Sequence, residues 1–216
     1  MPSRDFVFID EHGDPGVVGT STFACVAVHV DDDSLDRMVD CFASLRFFRQ
    51  VYGEYKNLDK DPQLRPKLGE MLWHLANAHD VKFSVTYLTK AAYTGPYLAT
   101  GEGTKFRNFQ VRRLLEWHFH NFASASPETE LVLDRHSHSH GQLENLREYL
   151  DGNWNLPTFA ALTAVDSRYV EMIAVADLAL RMWRRKVLQG NAGWQDLDLS
   201  FIQARDVTNM SKYWQP

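Results

Sequence analysis

Three apolar stretches of this chain end in an aspartate: "FVFID" at Asp10, "ELVLD" at Asp134 and "LTAVD" at Asp166. A fourth aspartate, Asp177, sits inside "YVEMIAVADLALRMW", a segment with helical periodicity, where Ile173, Ala174 and Leu180 would be its neighbours on one helix face. An ionised carboxylate on an apolar stripe is costly unless it is paired or bound to a cation. Arg181, four residues on, is the alternative partner. Taken singly, a strand-end Asp caps the next helix or forms an Asx turn. For Asp134 that reading is weakened, because Ser139 and Gln142 have capping-box spacing and serve the next helix without it. For Asp166 capping stays open, since a helix begins in "SRYVEM". Carboxylates brought together repel one another, and relief comes from protons or cations. Oxygen-only ligands favour Mg²⁺ or Mn²⁺. Two such ions about 3.5–4 Å apart activate water and stabilise the leaving oxygen in phosphodiester hydrolysis.

Other residues join or leave this set on local grounds. Glu11 follows Asp10, and adjacent residues of an extended strand point to opposite faces, so one of the two enters a shared site; Asp10 is the expected one. Glu54 and Lys56, in "EYKN", share a face if extended; a solvated loop is the alternative. His136, His138 and His140, in "RHSHSHG", would share a face if extended, which suggests zinc. Their place between a strand and a helix favours a turning loop, with His136 as a proton shuttle or phosphate contact beside Asp134. His118 and His120 cannot share a helical face and read as packing or surface residues. Basic residues gather with aromatics in "KFRNFQVRR" (Lys105, Arg107, Arg112, Arg113) and in "RMWRRK" (Arg181, Arg184, Arg185, Lys186). Such patches can track a phosphate backbone, or be a solvated helix face over core aromatics. "TGEGTKF" lacks P-loop spacing, and His12 stands where a strand-end aspartyl phosphatase needs its second acid.

These residues need elements to position them. "FVFID" and "TFACVAVHV" (22–30), separated by a Gly/Pro turn, read as a hairpin. "DDDSLDRMVDCFASLRFFRQVY" reads as one helix, with its acids first and arginines later. Further helices are expected over 65–79, 104–123, in "QLENLREYL" and over 169–188, strands over 81–89 and 130–135, and a strand or apolar extended run over 158–166. Strands interleaved with helices after a hairpin predict an α/β domain with a mixed central sheet flanked by helices.

Composition bounds the rest. With 216 residues, 44% hydrophobic and 24% charged, the chain suits a single globular domain over 1–216. Cys25 and Cys41 form no framework and are expected to be reduced core residues of a cytoplasmic protein. Neither a signal peptide nor a membrane helix is expected. A net charge of −5 argues against a passive nucleic-acid binder, though not against a nucleic-acid enzyme with an acidic metal site.

"FIDEHGDPG", "EYKN", "LVLDRH" and "AVDSRYVEMIAVADLAL" together resemble the domain-of-unknown-function family 3800. That family has an Asp-Glu-Ser-Gly strand end, a Glu-x-Lys motif, a mid-chain strand Asp and a late "DS…ADL" signature. The resemblance, from Phe6 to about Arg181, implies a ribonuclease H-like fold and an acidic site of Asp10, Asp134, Asp166 and Asp177. It adds Glu11 and Glu54 as further metal ligands and Lys56 as a phosphate contact. His12 stands where the family has Ser, and Ala174 where it often has Gln. The expectation is a nuclease using Mg²⁺ or Mn²⁺ on DNA or RNA. The rivals are a phosphohydrolase of small phosphate esters with Asp10 as nucleophile, and a non-catalytic nucleic-acid or protein-binding module of the same fold.

Overall fold

The computed structural model describes residues 4–52, 61–95, 97–98, 101–122, 128–135, 140–153, 155–166 and 170–209. β1 (Asp5–His12) turns through 13–21 into β2 (Thr22–Asp31). The turn needs glycine at 13, where φ is +104° and a Cβ would lie 2.4 Å from the Thr22 carbonyl oxygen. Asp14 and Thr20 exchange side-chain to backbone hydrogen bonds across it.

α1 (Asp32–Arg37) is capped by Asp31, whose carboxylate accepts from the Ser34 N–H. The helix expected to run on unbroken stops at Met38, and α2 (Val39–Tyr52) starts anew. Met38 is wholly buried, and the break turns its side chain into the core. α3 (Leu64–Ala78), β3 (Lys82–Thr89), a 3-10 turn (Lys90–Ala92) and α4 (Gly103–Asn121) follow. Then come β4 (Thr129–Asp134), α5 (His140–Asp151), β5 (Ala161–Val165) and α6 (Glu171–Val187). A 3-10 turn (Ala192–Trp194) leads to β6 (Ile202–Asp206). None of the helices is long and apolar enough to cross a membrane, among the described residues.

The six strands form one mixed sheet in the order β5-β4-β1-β2-β3-β6. β2 runs antiparallel to β1 and β3, while β1 pairs parallel with β4, β4 with β5, and β3 with β6. The ends of β1, β4 and β5 therefore share one sheet edge. β6 carries no clear alternation in sequence because its residues after Ile202 are exposed at the end of the strand order, which is why the pattern gave no strand there. Its exposed Gln203, Arg205 and Asp206 contrast with the uncharged Ala161–Val165 at the opposite margin.

Strand alternation divides the core. Phe8, Val26, Val28, Phe83, Val85 and Val132 face α2, α3 and α6. Val7, Ile9, Phe23, Cys25, Ala27 and Leu131 face α4 and α5. On the α4 face a buried polar chain crosses four elements. Ser84 Oγ lies 2.9 Å from His118 Nδ1, His118 Nε2 lies 3.0 Å from His29 Nδ1, and His29 Nε2 lies 3.2 Å from Asp5. Two neutral imidazoles satisfy every link if Ser84 donates to His118, His118 to His29, and His29 to Asp5. Burial lowers the proton affinity of both histidines, with His118 falling well below its ordinary value.

The same face corrects the phosphate-tracking reading of "KFRNFQVRR". Arg113 is fully buried and pairs with Glu116 at 2.8 Å, Arg112 pairs with Glu116 at 3.2 Å, and Arg107 pairs with Glu11 at 2.8 Å. These guanidiniums are structural cations of α4, and those of Arg112 and Arg113 pack over Phe109, with Arg112 also near Tyr149.

Candidate active site

β1 delivers its even-numbered residues to the α6 face, so Asp10 and His12 follow Phe6 and Phe8 onto that side. β4 does the same with Val132 and, two residues on, Asp134. The parallel register pairs Ile9 with Leu133, which leaves Asp10 and Asp134 as the next residues on adjacent strands. Asp134 is in turn the partner of Val165, so Asp166 stands one residue past the end of β5. α6 then crosses this face. It buries Met172, Ile173, Val175, Leu178 and Met182 in the core, and Asp177 lies in its second turn.

Asp10 is 7% exposed. Burial, then the charge of Asp177, then that of Asp134, push its carboxyl well above the ordinary range, against a backbone hydrogen bond that favours ionisation. Carboxylates from two other elements, α6 and β4, thus act on Asp10 at the strand edge. Asp177 also lines a pocket of about 240 Å³ with His12, Leu180, Arg181 and Arg184. Positions 177, 181 and 184 fall on one helix face, which puts a carboxylate and two guanidiniums in a row. Arg184 Nη1 contacts His12 Nε2. Burial, then Arg184 and Arg181, lower the His12 pKa to about 4, so the ring is neutral and accepts from the guanidinium. The spacing of Asp177, Arg181 and Arg184 was the signal in the sequence; the partnership with His12 needed the fold. Trp183 of the same basic run is core, with its ring 5.0 Å from that of Tyr87.

Glu11 goes to the opposite face, as alternation requires. Its side chain is buried against Arg107, yet burial outweighs that cation and the carboxyl is raised to about 7. The charge of Asp134 reaches it as well. Glu54, Lys56, His136 and His138 lie outside the described residues, as does the side chain of His140.

The donor set at the strand edge consists of carboxylate oxygens, which suits Mg²⁺ or Mn²⁺, and a cation there would remove the repulsion that Asp10 carries. Among the described residues the side chains whose donor atoms all lie within 4.8 Å of one another are Cys41, His74 and His79, not the aspartates. No three of the aspartates offer donor atoms that close to one another among the described residues.

No known family's sequence profile matches the chain, and no curated protein matches it in sequence. A solved structure does match: ribonuclease H2 from Pyrococcus horikoshii OT3 superposes with a TM-score of 0.56 at 12% identity, over 86% of this chain and 74% of that one. At that identity the likeness speaks for architecture alone, and with the strand order above it leads to one statement: this chain has an α/β, ribonuclease H-like fold, a mixed six-stranded sheet flanked by helices.

Proposed function

We propose that this chain is a divalent-metal-dependent nuclease of the domain-of-unknown-function family 3800, with nucleic acid as substrate and Asp10, Asp134, Asp166 and Asp177 as its acidic site. The observation that carries this is Asp10: a buried carboxyl at a strand end, raised by Asp177 and Asp134 beside an arginine-lined pocket. Mg²⁺ or Mn²⁺ bound by these oxygens would supply charge neutralisation at the phosphate and a more acidic water.

The chain's own residues do the remainder. Asp10 and Asp134 are fixed by backbone pairing of neighbouring strands, so their spacing is set before any ligand arrives. Asp177 closes the site from α6. Arg181 and Arg184 present positive charge to a phosphodiester seated in the pocket. Neutral His12 orients Arg184 by accepting its N–H. Glu54 and Lys56 are proposed to add a ligand and a phosphate contact.

The test is cleavage of labelled single-stranded, duplex and RNA–DNA hybrid substrates with Mg²⁺ or Mn²⁺, with Asp177→Asn and Asp10→Asn as controls. Cleavage that needs the metal and falls by about 10²-fold or more in both variants is expected. Equal cleavage by wild type and Asp177→Asn would overturn the proposal.

A further inference from the structure

α2 and α3 both pack against α6 on the same face of the sheet, with Leu45, Leu68, Leu72 and Leu75 in its core. The first turn of α2 carries Cys41, and α3 carries His74 just before its last turn, with His79 as the residue that ends the helix. One donor atom from each of Cys41, His74 and His79 lies within 4.8 Å of the other two. We propose that these three side chains form a second metal site, separate from the aspartates, for an ion that prefers thiolate and imidazole ligands, with Zn²⁺ as the fitting occupant.

Three observations support this over chance proximity. The rings of His74 and His79 meet edge to face at 5.3 Å, which accounts for the two imidazoles but not for the thiol beside them. His79 Nδ1 is buried without a hydrogen-bond partner, a state that a metal ion relieves. The chemistry also matches, since one sulfur and two imidazole nitrogens are borderline-soft donors, which select Zn²⁺ over Mg²⁺ or Mn²⁺. Tetrahedral zinc with bonds of about 2.0–2.3 Å holds such donors about 3.3–3.6 Å apart. With every separation within 4.8 Å, the donors are at most about an ångström too far apart, within reach of side-chain rotation. His74 is exposed, so the fourth position opens to solvent and is filled by water. The surrounding charges oppose each other: Asp40 adjoins Cys41, while Arg37 acts on His79. Arg37 is turned toward Ser34, to whose hydroxyl it donates at 2.9 Å.

Such an ion would clasp the start of α2 to the end of α3. The experiment is a titration of the chelator-stripped, full-length protein with Co²⁺, followed by displacement with Zn²⁺. One Co²⁺ is expected to give a near-ultraviolet thiolate charge-transfer band and intense visible bands of tetrahedral geometry, both abolished by Zn²⁺. Cys41→Ser loses the charge-transfer band, and His74→Ala, at an exposed position that leaves the core intact, weakens binding at least tenfold. Asp177→Asn keeps both signals. Zn²⁺ at a hundredfold excess over the wild-type Kd raises Tm by about 5–10 °C in wild type and Asp177→Asn, and by about half of that or less in His74→Ala. A cobalt spectrum without the thiolate band, or one that survives Cys41→Ser and disappears in Asp177→Asn, would place the ion among the carboxylates and end the proposal.

Discussion

Because burial and the charges of Asp177 and Asp134 hold Asp10 well above its ordinary range, a proton and a divalent cation compete for the same oxygens. The proposed nuclease activity should therefore rise with pH across the acidic range, and raising Mn²⁺ should move the midpoint to lower pH; a profile indifferent to metal concentration would contradict this. Glu11 gives a second, separable test. Its folded-state pKa of about 7 exceeds the ordinary 4.5, so its stabilisation is full below 4.5 and is lost as pH rises through 7. The difference in unfolding free energy between pH 4.5 and pH 8 should shrink in Glu11→Gln by up to about 3 kcal/mol, read from urea titrations at both pH values. At this scale the sequence was informative where alternation decides. The separation of Asp10 from Glu11 follows from the two-residue period of a strand. The pairing of Arg112 and Arg113 with Glu116 is also set by helical spacing, four and three residues apart, whereas Arg107 meets Glu11 only in the folded packing.

At the scale of elements, the chain from Ser84 through His118 and His29 to Asp5 ties α4 to three central strands. His118→Ala leaves Ser84 and His29 without their partner in a buried place, and should destabilise the protein by about 2–4 kcal/mol in urea unfolding. Since both histidines have lowered pKa values in the fold, the stability they carry is present above 6.5 and is lost as pH falls below it. His118→Ala should be less stable at neutral pH and also less sensitive to acid below 6.5; an unchanged acid slope would show that the chain does not set it. The element pattern was largely legible, since apolar, β-branched and aromatic runs announce β1, β2, β4 and β5, alternation announces β3, and helical spacing announces most helices. It faltered where tertiary packing overrides local pattern. Met38 breaks a continuous helical spacing to enter the core, and β6 has a single buried residue to declare itself. His118 read as ordinary packing because its partners lie on β2 and β3.

Across the whole molecule, one sheet divides two cores, and the acidic residues gather at the edge where β1, β4 and β5 end together. Ligand binding there should be felt as global stability, because the carboxylates repel until a cation arrives. Saturating Mn²⁺ should raise Tm by several degrees in wild type, while Asp177→Asn, relieved of one charge, starts at a higher metal-free Tm and gains less. Identical metal-induced shifts in the two proteins would place the ion elsewhere.

The two margins of the sheet have unlike fates outside the native state. Exposed Arg205 and Asp206 blunt the β6 margin against pairing with a foreign strand. β5 ends the strand order on the other side with Ala161, Leu162, Thr163, Ala164 and Val165, a run without a single charge. When heat loosens the fold, chain-to-chain accretion should start at β5, as a template for strand addition. A lysine at exposed Thr163 would then delay turbidity on heating without moving Tm, so the colloidal lifetime of this protein is governed by one short margin and its thermal midpoint by the core.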